Sequence, residues 1–233
     1  MTDRAHVLDA LGTVYDPELD EPITTLGFVG SCVVSAGGDV DVRLRLPTPQ
    51  CAPNFAFLMA SDARNAVRRV PGVREVGVAL EDHYTGAEIN AAVGRGGTFD
   101  DAFPGESEAS LDALRELFQR KALVARQGRV CKALLAAGVT PATVVDRRVA
   151  DLPEGMDAER CVELRRELGL PCDADAPALV AGDGTRLPAE GLDRWLRRAQ
   201  LVSLSLESNG GLCRSLLHVR YGVIDPTHEE VAA

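Results

Sequence analysis

Residues 40–46 read VDVRLRL, a strict alternation of aliphatic and charged side chains. Successive side chains of an extended strand point to opposite faces. Val40, Val42, Leu44 and Leu46 therefore share one face, and Asp41, Arg43 and Arg45 share the other. A strand of this kind needs an apolar layer over one side only, which points to a sheet with helices packed on it. The pattern stops in PTPQCAP, residues 47–53, where a single cysteine stands among three prolines. Pro47 ends the strand, and Pro53 suits the first turn of a helix, where the missing N–H is not needed. Phe55, Leu58, Met59, Ala63, Ala66, Val67 and Val70 supply a buried stripe for that helix, which Pro71-Gly72 closes.

The flanking segments complete a small unit. Residues 4–14 form an amphipathic helix through Val7, Leu8, Leu11 and Val14, broken by Asp16-Pro17-Glu18. Phe28 to Ser35 reads as a strand, Gly37-Gly38-Asp39 as a hairpin turn, and Val73 to Leu80 as a third strand. The expected fold is α/β (α+β), an α-β-β-α-β domain over residues 1–93. Residues 94–107, GRGGTFDDAFPGES, read as a linker or a long ordered loop. Residues 108–233 are expected to form a helical and α/β C-terminal domain that recognises a client. Its elements are a helix over 111–137 with Gly128 as an interruption point, a helix over 157–168 and a short strand at 178–181. A helix over 189–198, an alternating strand at 201–206 and a helix at 212–217 follow.

The formal net charge of −10 argues against a nucleic-acid or anionic-membrane partner, since phosphate binding needs a basic surface. No signal peptide and no apolar run of about 20 residues is visible, so the expected location is the cytoplasm. The six cysteines contain no CxxC pair, which favours reduced thiols over a disulfide framework and excludes zinc-finger spacing. A phosphate loop ending in GKS or GKT is absent, so no nucleotide is expected.

Cys51 is the residue on which the functional reading turns. The partial positive charge of a helix N-terminus favours a thiolate, the prolines hold the sulfur still, and Thr48 three residues earlier offers a hydroxyl. The alternative is a small buried side chain with no chemistry. Cys32, Cys131 and Cys161 lie among apolar residues and read as core, and Cys172 reads as an exposed loop residue. Cys213, in SNGGLCRS, is a second candidate, because the glycine pair permits close backbone approach and Arg214 adds a positive neighbour. In DHYTGAEIN, His83 and Glu88 combine an imidazole and a carboxylate. They could bind a divalent metal or act as acid and base, or simply sit at a strand end and on a helix surface.

The order Asp16-Pro17-Glu18, Ile23, Leu26-Gly27-Phe28-Val29, the alternating strand, Thr48-Pro49-Gln50-Cys51, a helix and Pro71-Gly72-Val73 resembles a known family. It is the small iron–sulfur cluster assembly domain of PaaD, SufT and a eukaryotic cytosolic cluster-targeting factor. The resemblance covers residues 4–82, roughly a third of the chain. It implies a pocket gathering Asp16, Glu18, Thr48 and Cys51, and a part in maturing metal–sulfur proteins. Two positions depart from the pattern. Pro47 stands where relatives often have a second threonine, and Ala52 separates Cys51 from the next proline. The remainder, around DHYTGAEIN and SLESNGGLCRSLLHVRY, resembles longer metal–sulfur cluster biosynthetic proteins, some tied to oxygenase systems.

The expected function is an assembly factor that carries an iron–sulfur cluster or iron transiently and helps insert it into a client metalloenzyme such as an oxygenase. Its partners would be that client and the cluster-assembly proteins. One thiolate cannot hold a cluster that needs four ligands. A second Cys51 in a homodimer, a partner's thiols or Cys213 would supply the rest, and the carboxylates of Asp16 and Glu18 could complete a labile site. The rival readings are a thiol-dependent enzyme, with Cys51 as nucleophile or sulfur carrier and His83 or Glu88 as base, and a non-catalytic scaffold.

Overall fold

The computed structural model describes residues 3–105 and 108–222. The first helix, α1 (Arg4–Leu11), starts at Asp3, whose carboxylate accepts the His6 N–H at 3.0 Å. Val7 and Leu11, one turn apart, are fully buried. Two short strands, β1 (Tyr15–Asp16) and β2 (Glu21–Pro22), pair antiparallel and set Asp16 opposite Glu21.

The main sheet holds β3 (Val29–Val34), β4 (Val40–Arg45) and β5 (Val76–Glu81) in the order β3-β4-β5. β3 and β4 are antiparallel through the glycine turn, whereas β4 and β5 are parallel. A parallel pair needs a crossover, and α2 (Pro53–Arg68) supplies it. Val40, Val42 and Leu44 are buried on one face, as the alternation requires, while Arg43 and Arg45 on the other pair with Asp41 and Glu81. Helix α2 buries more than one stripe: Ala56, Phe57 and Ala60 are enclosed as well as Leu58, Met59, Ala63 and Val67. Phe57 points to Phe99, whose ring lies 5.4 Å away edge-on. Phe99 belongs to α4 (Phe99–Ala102), which follows α3 (Gly86–Gly94) and is capped reciprocally by Thr98 and Asp101. The described part of the glycine-rich segment at 94–107 is thus folded onto the first core by Phe99, Ala102 and Phe103.

The remaining helices are α5 (Glu108–Ala136), α6 (Pro141–Asp146), α7 (Met156–Glu167) and α8 (Leu192–Tyr221). The chain divides into two compact units, Met1–Leu114 with Ser208–Ala233, and Arg115–Glu207. This differs from a contiguous C-terminal domain starting at 108, because the chain returns to its first unit from Ser208 onward. All named strands among the described residues lie in that first unit, and the chain as a whole is α/β.

Two expected strands take other forms. Residues 178–181 make only an isolated bridge, Val180 to Arg186. The segment is held by side chains: buried Arg165 donates to the Pro177 and Ala178 carbonyls, and Gln127 bonds both the N–H and the C=O of Val180. The strand expected at 201–206 is helical, inside α8. Leu201, Leu204 and Ser205 are exposed and Ser203 is buried, so the alternation did not mark a sheet face. Gly128 does not interrupt α5, and the glycine pair at 210–211 does not interrupt α8. Among the described residues, no helix is long and apolar enough to cross a membrane.

Candidate functional site

The acidic turn between β1 and β2 is organised by Asp16. One oxygen of its carboxylate accepts the N–H groups of Glu18 and Leu19 at 2.8 and 3.0 Å, and its carbonyl accepts the Asp20 N–H at 2.9 Å. Asp20 adopts a left-handed φ of 52° to close the turn. Burial pushes the Asp16 carboxyl up to about 6, even though the two backbone donors pull the other way, and Glu18 and Glu21 add like charge. Glu18 is half-buried beside it in the chain.

The cysteine turn leaves β4 at Leu46. Pro47 is buried, and the Cys51 N–H reaches back to the Thr48 carbonyl at 3.4 Å, which closes a turn over residues 48–51. The Thr48 hydroxyl stands 3.6 Å from the Cys51 sulfur. Thr48 and Cys51 are both half-buried residues, and Cys51 packs against the first core. Ala52 gives α2 no side-chain cap, and Pro53 opens the helix.

His83 holds this turn from outside. Its Nε2 donates to the Cys51 carbonyl at 2.8 Å, while Nδ1 accepts from the Thr85 N–H at 3.3 Å and lies 3.1 Å from the Thr85 hydroxyl. Next to it, the Tyr84 N–H donates to the Pro49 carbonyl at 3.1 Å. Both ring nitrogens of His83 are therefore engaged with the loop backbone and Thr85, and in this arrangement the ring is a clamp on the cysteine turn. Glu88 is exposed in the first turn of α3, where its charge complements the helix N-terminus. Asn90 bonds the N–H and C=O of Leu80 and so finishes the edge of β5.

Cys213 lies on the last part of α8. Its thiol is pushed up to about 12 by burial first, then by the neighbouring charges of Asp16, Cys51 and Glu18, with Arg214 opposing. Cys51 and Cys213 pack half-buried against the same apolar core. Cys32, Cys131 and Cys161 are buried, and burial raises the thiols of Cys32 and Cys131. Cys172 is half-buried. Among the described residues, no group of three or more His, Cys, Asp or Glu side chains is arranged to hold a metal ion. Glu21, Arg214 and Arg220 find partners that no local motif marks. Arg214 pairs with Glu21 at 2.7 Å, and Arg220 donates to the Leu46 and Asp82 carbonyls at 3.2 and 2.8 Å. Their positions lie 193, 174 and 138 residues apart, so nothing local in the sequence joins them.

An α-β-β-α-β domain with a proline-framed cysteine turn beside a buried acidic turn defines a recognisable class. The family model for iron–sulfur cluster assembly proteins matches residues 4–79, and the chain belongs to this family. An uncharacterised protein of Methanocaldococcus jannaschii is 34% identical over 90 residues, which span 39% of this chain and 93% of that one. A protein named Fe-S protein maturation auxiliary factor, from Porphyromonas gingivalis, is 36% identical over 74 residues, 32% of this chain and 69% of its own length. An iron–sulfur cluster carrier protein of Deinococcus radiodurans is 38% identical over 87 residues, 37% of this chain and only 22% of that protein.

Proposed function

We propose that this protein is an iron–sulfur assembly factor that carries a metal–sulfur unit on Cys51 and passes it to a client metalloenzyme. Thr48, Asp16 and Glu18 would line the cargo's pocket. The observation that carries the reading is the half-buried Cys51, held by a turn that is itself bonded to a second loop, within the segment that matches the family. A thiolate held still and within reach can form an iron–sulfur bond without a loop having to be ordered first. Thr48 supplies a hydroxyl to the sulfur, and the Asp16 and Glu18 carboxylates supply negative charge that suits a cation. A cluster takes four ligands. A site offering fewer leaves positions for an acceptor's own thiols, and this favours transient cargo over a resident cofactor. The acceptor would be a cytoplasmic client, such as an oxygenase, with other assembly proteins upstream. Leu212, Leu216 and Val219, exposed on α8, support a client-facing role for the C-terminal segment.

The engagement of both His83 nitrogens disfavours the rival enzyme, in which that ring would be the base for Cys51. The test is anaerobic reconstitution with iron and sulfide, followed by iron and acid-labile sulfide analysis. Wild type should retain both and donate them to an apo acceptor protein, and Cys51→Ala should fall to background. Equal retention by the variant would overturn the proposal, and a covalent adduct at Cys51 without iron would move the reading to the thiol enzyme.

A further inference from the structure

Resting on that reading, we infer that the end of α8 brings a second thiol to the same site, so that Cys51 and Cys213 together grip one iron of the cargo. Residues three and four apart share a face, so Gly210, Cys213, Arg214, Leu217, Arg220 and Tyr221 line one side of α8. The neighbours of Cys213 on that face are tied to the margins of the site. Gly210 approaches Glu21 so closely that a Cβ there would lie 2.8 Å from a Glu21 carboxylate oxygen. Arg214 pairs with the same carboxylate at 2.7 Å, and Glu21 stands opposite Asp16 in the β1–β2 ladder. Leu217 is 1% exposed in the first core. Arg220 bonds the carbonyl of Leu46, where the cysteine turn begins, and the carbonyl of Asp82, next to the His83 that bonds Cys51.

Cys213 therefore sits between an anchor at the acidic turn and an anchor at the cysteine turn. Its sulfur lies within electrostatic reach of Asp16, Cys51 and Glu18. The family match ends at residue 79, so this thiol lies outside it. Two soft thiolates select a thiophilic metal, and two leave a four-ligand iron half open for a client's cysteines. On binding, each thiol gives its proton to solvent and its sulfur lone pair forms the iron–sulfur bond; no electron changes hands.

A dithiol-selective arsenical tests the pairing without any iron. Phenylarsine oxide forms two arsenic–sulfur bonds with two adjacent thiols and releases one water. The full chain should take up the reagent with a stoichiometry of one at this pair and lose alkylation at both Cys51 and Cys213, read by peptide mass spectrometry, with Cys172 as the unprotected reference. Cys51→Ala, Cys213→Ala and Cys213→Ser should each leave the surviving thiol open to alkylation. Independent alkylation of the two thiols in arsenical-treated wild type would overturn the inference, and that result needs no variant to fold. A second arm uses the reconstituted protein and an iron chelator. Cys213→Ser should release iron several-fold faster than wild type. Release at the wild-type rate would remove Cys213 as a ligand and leave the carrier reading standing. Full retention in Cys51→Ala would bring down the carrier reading itself.

Discussion

Asp16 carries a cost that the rest of its turn explains. The carboxyl accepts two backbone N–H groups, which favour its charge, yet burial wins and moves it up to about 6. In the unfolded chain an aspartate titrates near 3.9. The raised value means that the folded state holds its proton more tightly. The associated stability is fully present below about pH 4 and is lost as pH rises through about 6. Each pKa unit corresponds to about 1.4 kcal/mol, so ionising Asp16 costs on the order of 2–3 kcal/mol near neutrality. Asp16→Asn keeps an oxygen for the same two N–H donors and carries no charge. At pH 7.5 it should be more stable than wild type by about 2 kcal/mol in urea denaturation, with the gap closed at pH 4. A gap that does not change with pH would show that the buried charge is not its source. At this scale the sequence was readable where partners are close in the chain. Thr48 reaches Cys51 across three positions, and a proline-rich turn allows few other geometries. Glu21 and Arg214 are 193 positions apart, and no spacing rule joins them.

Among the elements of the first eighty residues, the two helices and the three strands of the main sheet were legible because local signals agreed, whereas the two-residue strands β1 and β2 carry no period to read. A glycine turn, a period-two strand, a proline at a helix start and a Pro-Gly stop each marked a boundary of its own, and together they gave one consistent order of elements. Helix α8 shows the opposite case. Its sequence suggested a helix, a strand and another helix, because LVSLSL alternates and Gly210-Gly211 invites a break. The buried face there is made of small residues, Ala199, Ser203 and Gly210, and a face without large apolar side chains leaves no hydrophobic period to read. Such faces work by close approach. A Cβ on Gly128 of α5 would lie 2.6 Å from the Cβ of Ala199 on α8, which real contacts do not tolerate. Helix propensity favours Gly128→Ala by about 1 kcal/mol, whereas overpacking costs about 1–3 kcal/mol. The variant should therefore be neutral to destabilised in chemical denaturation, with Ala199→Gly recovering stability in the double mutant. A Gly128→Ala protein more stable than wild type, with no coupling to position 199, would show that the contact carries no strain.

For the whole molecule, composition placed a break near 94–107, and it could not reveal that the chain comes back. Residues from Ser208 complete the unit that begins at the N-terminus. Leu217 is buried in the same core as Val7, Ile23 and Phe28, although the family match ends at residue 79. Removing residues 208–233 should therefore injure the N-terminal unit while its sheet persists. Exposing the place of Leu217 forfeits about 1.5–3 kcal/mol. The Leu46 and Asp82 carbonyls each lose a charged donor, and Glu21 loses the guanidinium 2.7 Å from its carboxylate. Hydrogen bonds to charged groups contribute about 1.5–3 kcal/mol each, less where water can replace the donor. Against a typical total of about 5–15 kcal/mol, the loss is large but local. Hydrogen exchange on the truncated protein should show faster exchange at the Asp16–Glu21 turn, at 47–51 and at 82–85. The β4–β5 pairing of Val42 with Val78 should keep its protection, because its bonds and its cover by α2 do not involve the removed segment. Unchanged exchange in all three loops would mean that the last part of α8 rests on the site without holding it, and the place assigned to Cys213 would lose its support.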